Sequence, residues 1–202
     1  MATGSIRYRS LAARFAQLRK NLLGFVPDPP VSQLRYSEAE LDATRAYIVL
    51  AHAEIEAFCE QIALAKVIAA KAAFDNRQAV SPCLRRIICY QVGSKHESWS
   101  EVLNPPVTRV ESAFNFYQTL VRDNHGIKRR NLHKIFFPIG IVEADFNPTW
   151  SAQMDSFGLV RGGWAHGSIA TLRPPEPLTQ LQAGRHLMVG LLALDRVVAR
   201  LR

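Results

Sequence analysis

The chain has 202 residues, 48% hydrophobic and 21% charged, a balance that supplies one sizeable core and excludes an intrinsically disordered polymer. Its 25 Lys and Arg against 17 Asp and Glu leave a formal charge of +8, which favours an anionic partner, nucleic acid first. No apolar run reaches the roughly 20 residues of a bilayer crossing, the nearest being Leu187 to Leu194, so no membrane partner is expected.

The opening stretch carries Arg7, Arg9, Arg14, Arg19 and Lys20 with no acid before Asp28, the composition of a transit peptide. Ile6, Leu11, Phe15, Leu18 and Leu22, however, recur near the helical period and predict an amphipathic helix that stays on the protein. Pro27, Pro29 and Pro30 end it at about Phe25, so residues 1–36 read as an N-terminal helix and Pro-rich connector ahead of a helical domain at 37–202. Ser37 and Glu40 form a capping-box pattern that opens a long helix to about Asp75, with a seam of Tyr47, Ala51, Ile55, Phe58, Ile62, Ala65 and Ala69. Ser81-Pro82 starts a helix to about Val92, and Pro105-Pro106 precedes another from Val107 to Asp123. A short helix is expected over Lys128 to Phe136, stopped by Pro138 and Gly140. Asn147-Pro148 begins one that contains Trp150, Met154, Phe157 and Val160. After Pro174, Pro175 and Pro177 a final helix buries Leu187, Leu191, Leu194 and Val198. No segment alternates with period two, so the expected fold is all-α, a bundle of five to seven helices. Cys59, Cys83 and Cys89 form no C-x-x-C pair and sit among apolar residues, as reduced core thiols of a cytoplasmic protein would.

Phosphate-loop, dinucleotide and serine-hydrolase signatures are missing, so no cofactor is expected. His52-Ala53-Glu54 followed by Pro82-Cys83 fits part of a zinc-deaminase pattern, but Arg86 stands where its second cysteine belongs, and no metal site is expected. The informative segment is Leu159-Val160-Arg161-Gly162-Gly163-Trp164-Ala165-His166-Gly167-Ser168, whose Arg and His, with four residues between them, resemble a motif of the HEPN superfamily, a resemblance that implies RNA cleavage. Cleaving RNA through its own 2'-hydroxyl requires a base, an acid and a stabiliser of phosphorane charge, with no obligatory metal. His166 titrates near neutrality and moves protons, while Arg161 stays charged and presents a planar fork to phosphate oxygens. Five helical positions separate the two side chains by roughly 140°, so one straight helix converges them poorly. Either Gly162-Gly163 breaks the helix, or a two-fold dimer pools two copies of each. An Arg capping carbonyls and a His satisfied in the core is the structural alternative.

Arg161 to His166, with its Ala165-His166-Gly167 ending, resembles the R-x4-6-H motif of the HEPN superfamily. Asn124-His125-Gly126-Ile127, Asn131, Pro138-Ile139-Gly140 and Trp150 upstream resemble its RiboL-PSP-HEPN branch, over roughly residues 38 to 200. The resemblance implies an all-α HEPN-like bundle and a metal-independent endoribonuclease working as a homodimer. It also implies toxin or defence roles, with an antitoxin or regulatory protein partner. Gly162 departs from the pattern, occupying a place where many active members carry a polar residue, often Asn. The rival reading is therefore a catalytically silent module that binds RNA, nucleotide or a protein partner.

Further residues complete the candidate site. Glu54 falls within about 20° of Tyr47 and Ala65 in the long helix's seam, where a carboxylate should be paired; Arg161 or His166 is the expected partner, a half-exposed edge position the alternative. Lys128, Arg129 and Arg130, with His133 and Lys134, form the densest basic cluster, suited to tracking an RNA backbone or to lying on a solvated face. Trp164 is placed to stack a base, or to fill core or dimer interface.

Overall fold

The computed structural model describes residues 4–27, 35–77, 79–94, 106–166 and 175–201, the side chains of 94, 106–107 and 164–166 excepted. Among these residues there are seven α-helices and no strand: α1 (Ile6–Leu22), α2 (Glu38–Arg77), α3 (Pro82–Ser94), α4 (Pro106–Arg122), α5 (Arg129–Phe136), α6 (Pro148–His166) and α7 (Pro177–Arg200). Short 3-10 turns at Phe137–Ile139 and Glu143–Asp145 join α5 to α6. None of the described helices is long and apolar enough to cross a membrane.

The helix starts follow the capping chemistry written in the sequence. At α2 the Ser37 N–H donates to Glu40 Oε2 at 2.7 Å and the Glu40 N–H donates back to Ser37 Oγ at 3.3 Å, a reciprocal box. Ser81 Oγ accepts the Leu84 N–H at 3.3 Å and Asn147 Oδ1 accepts that of Trp150 at 3.0 Å, opening α3 and α6. Gly140, at φ 102°, closes the turn after α5 with a bond from its N–H to the Phe137 carbonyl at 2.9 Å.

The 40-residue α2 is the axis, roughly 60 Å long at 1.5 Å per residue, and α1, α4, α6 and α7 all pack on it. Its expected seam is buried at Tyr47, Ala51, Ile55, Phe58 and Ile62, and burial then shifts to Ala63, Val67, Ala70 and Phe74, leaving Ala65 half-buried and Ala69 exposed. The shift follows from 3.6 residues per turn, which rotates a seven-residue seam steadily around the helix. On α1, Leu11, Phe15 and Leu18 are buried as spaced, whereas Ile6 is 71% exposed at the helix start. Leu187, Leu191, Leu194 and Val198 bury the inner stripe of α7, and the Trp150 indole N–H crosses from α6 to donate to the Leu187 carbonyl at 3.1 Å. Cys59 and Cys83 are buried free thiols, Cys83 pushed up to about 11 by burial; Cys89, expected in the core, is exposed. It lies on the outer face of α3, two positions or roughly 200° around from the fully buried Ile87.

Candidate functional site

Four residues advance a helix by roughly 40°, so His52, Glu56 and Glu60 form one polar stripe along α2 beside the apolar seam. His52 is buried, its Nδ1 3.7 Å from Glu56 Oε2 and without a hydrogen-bond partner among the described residues. Burial holds the imidazole below its ordinary pKa, the cations Arg161 and Lys128 push the same way, and Glu56 opposes them. Glu56 accepts the backbone N–H of Gly126, and Glu60 accepts the Asn124 side-chain amide at 3.2 Å. Burial raises the Glu60 carboxyl, with Glu56 adding to the rise and Asn124 and His125 countering it.

These carboxylates hold the connection between α4 and α5. Gly126 sits at φ 122°, a conformation that L side chains rarely adopt. The Asn131 amide donates to the His125 carbonyl at 3.1 Å and to Asn124 Oδ1 at 3.3 Å, closing the loop onto the start of α5. From α6, Asp155 Oδ1 accepts the Arg129 N–H at 2.7 Å and so satisfies an open donor of α5. A Cβ on Gly158 would stand 3.0 Å from Lys128 Cγ, so the absence of a side chain there lets the Lys128 stem lie against α6.

The result is a pocket of about 510 Å³ between α2, the loop and α6, walled by His52, Glu56, His125, Lys128, Arg130, Asn131, Arg161 and Gly162. Three cationic side chains face one carboxylate, Glu56, among the described lining residues. Arg161 is half-buried, and its Nε is shielded from solvent without a hydrogen-bond partner among the described residues. The arrangement suits a phosphate group: cations for its charge, a guanidinium fork for its oxygens and imidazoles within the same walls.

Arg161, Lys128 and Arg130 therefore come together, and the other expected residues divide. Helix α6 runs unbroken through Gly162-Gly163 to His166, so the glycines do not provide the break that would converge Arg161 and His166. The side chains of Trp164 and His166 lie outside the described residues. Glu54 pairs instead with Arg14 of α1, Oε1 accepting from Nε at 2.8 Å, with 35% of its side chain exposed. Two positions turn a helix by roughly 200°, so Glu54 faces α1 while Glu56 faces the pocket. Arg129 is exposed and leans toward Glu143 at 3.7 Å. The Lys134 ammonium donates to the Asp123 carbonyl at 2.5 Å, which fastens the end of α4. His133 stacks on Phe137 and stands 2.9 Å from Glu143.

The residues that sequence reasoning missed are Glu56 and the pocket role of His52. Their signal was the i, i+4, i+8 recurrence of polar side chains in an otherwise apolar helix.

The family model for RiboL-PSP-HEPN matches residues 10–180. The chain belongs to this family, and its all-α architecture is that of a HEPN-type domain. No curated protein and no solved structure matched it.

Proposed function

We propose that this RiboL-PSP-HEPN protein is a metal-independent endoribonuclease that uses Arg161 and His166 to cleave RNA by 2'-hydroxyl attack. The observation that carries the reading is the half-buried Arg161 in a pocket shared with Lys128 and Arg130, where Glu56 is the one carboxylate among the described lining residues. Lys128 and Arg130 draw in the polyanion, and Arg161 binds the non-bridging oxygens, where charge grows as the phosphorane forms. Burial disfavours the charged form of His52, which works against a further positive charge in that pocket, while Glu56 fixes the loop. His166 takes the proton of the attacking hydroxyl.

The unbroken α6 supports a homodimer. On one helix the positions of Arg161 and His166 are separated by roughly 140° around the axis and roughly 7.5 Å along it, so a two-fold pair of chains is the economical way to bring one of each to a single phosphate. Toxin or defence activity in the cytoplasm, restrained by an antitoxin or regulatory protein, belongs to the same reading.

Incubating purified protein with mixed RNA in EDTA tests it, the expected products ending in 2',3'-cyclic phosphate and disappearing with His166→Ala. Cleavage that stops in EDTA and returns with Mg²⁺ overturns the mechanism. Mixing Arg161→Ala and His166→Ala chains should recover part of the activity, since one composite site of the heterodimer keeps both groups. The second reading, a silent binding module, takes its support from Gly162, where nothing within 4 Å fills the position of a side chain; RNA bound but left intact selects it.

A further inference from the structure

Within the nuclease reading, on which this inference rests, cleavage needs two proton transfers: one from the 2'-hydroxyl and one to the departing 5'-oxygen. Arg161 cannot serve as the second group, because a guanidinium does not release its proton in proteins. The described histidines narrow the choice. His52, though at the pocket wall, is only 3% exposed, its Nδ1 3.7 Å from Glu56 Oε2. His133 is stacked on Phe137 beside Glu143, and His186 lines a different groove, between α6 and α7.

We propose that His125 is a catalytic residue of this pocket, the general acid that protonates the leaving 5'-oxygen. Its side chain is exposed, lines the same pocket as Arg161 and makes no hydrogen bond among the described residues. Its backbone, by contrast, is fixed. The His125 carbonyl accepts from Asn131 at 3.1 Å, the next N–H is held by Glu56, and Asn124 before it is tied to Glu60. A free imidazole on a pinned loop is what proton delivery requires: the ring turns toward the substrate while the loop keeps its place. The charged and titratable groups around it are His52, Glu56 and Glu60 from α2, Lys128 and Arg130 at the start of α5, and Arg161 from α6.

The step balances. His166 accepts the 2'-hydroxyl proton as O2' forms its bond to phosphorus. The bond from phosphorus to O5' breaks, its electron pair stays on O5', and the His125 imidazolium supplies the proton there. The products are a 2',3'-cyclic phosphate and a 5'-hydroxyl, and solvent exchange resets both rings.

The test compares His125→Ala with wild type on two RNA substrates, one ordinary and one with sulfur replacing the 5'-bridging oxygen. A thiolate leaves without protonation, because thiols are far more acidic than alcohols. The expected result is a loss of about 100-fold or more on ordinary RNA and near wild-type cleavage of the sulfur substrate. His166→Ala should be slow on both. His125→Gln, expected to match His125→Ala, carries the comparison if the alanine variant fails to fold by circular dichroism. A His125 variant within about three-fold of wild type on ordinary RNA, or equally slow on both substrates, overturns the assignment while leaving the nuclease reading intact. A wild type that leaves both substrates uncut overturns the nuclease reading and this assignment with it.

Discussion

The Glu56 carboxylate accepts the backbone N–H of Gly126, 70 residues further along the chain, and so ties the central helix to the loop that walls the pocket. A hydrogen bond to a charged group contributes about 1.5–3 kcal/mol, and here no other described group takes that N–H. Glu56→Ala should therefore lower stability by about that amount in urea denaturation, whereas Glu56→Gln, which keeps an acceptor oxygen, should lose less than half as much. Equal losses would show that the charge of Glu56, rather than its bond to Gly126, stabilises the fold.

His52 gives stability a defined pH dependence. Its folded pKa lies below the unfolded value of 6.5, so the unfolded chain binds the extra proton between the two. The contribution is complete above 6.5 and is lost as the pH falls through that window toward the folded pKa. Melting temperature should drop more between about pH 7 and about pH 5 in wild type than in His52→Gln. Parallel profiles would remove His52 as the cause.

Much of this fold is written locally. Ser37, Ser81 and Asn147 were readable as helix starts because a cap needs only a side-chain oxygen and the next turn's N–H. The site was readable only in part. Arg161, Lys128 and Arg130 carry the charge that any phosphate site needs, but which carboxylate faces them depends on which neighbours α2 acquires. Glu54 lies at the half-exposed edge of the seam; the helix that meets it there is α1, a long-range packing choice that periodicity along α2 does not encode. Cys89 illustrates the same limit: Ile87 and Ile88 make its surroundings apolar in sequence, yet helical rotation carries it outward.

Two glycines should respond oppositely to a methyl group. A Cβ on Gly162 meets nothing within 4 Å, so Gly162→Ala should stabilise α6 by about 0.5–1 kcal/mol through helix propensity alone, raising the melting temperature by about 1–4 °C. A Cβ on Gly190 would stand 2.1 Å from Trp150 Cδ1, on a ring already held by its bond to Leu187, and Gly190→Ala should cost about 1–3 kcal/mol. Gly162→Asn adds a polar group to the pocket wall and is expected to keep the fold and raise RNA cleavage. Reduced cleavage by a well-folded Gly162→Asn would show that the open space there is needed by the substrate.

Glu54 and Arg14 should prove separable from the chemistry. Both side chains are more than a third exposed, so their bridge contributes no more than about 1 kcal/mol. Glu54→Gln is expected to lose at most that in denaturation and to cleave RNA at the wild-type rate. A large fall in rate at unchanged stability would return Glu54 to the active site.

The basic cluster should divide by function along α5. Lys128 and Arg130 line the pocket, whereas the Lys134 ammonium is occupied by the Asp123 carbonyl. Counterions released on RNA binding come from the phosphates a cation neutralises, so only residues facing the nucleic acid affect the salt dependence. Fluorescence anisotropy of labelled single-stranded RNA, titrated at several salt concentrations in a His166→Ala background, measures this without cleavage. Replacing Lys128 and Arg130 with alanine should weaken binding and flatten the slope by about 0.7 for each phosphate no longer neutralised. Lys134→Ala should leave the slope unchanged and instead cost about 1 kcal/mol of stability, since the end of α4 loses its tether. If Lys134→Ala flattens the slope as much as the paired substitution does, RNA runs across the outer face of α5 and the Arg161 pocket is not where its phosphates dock.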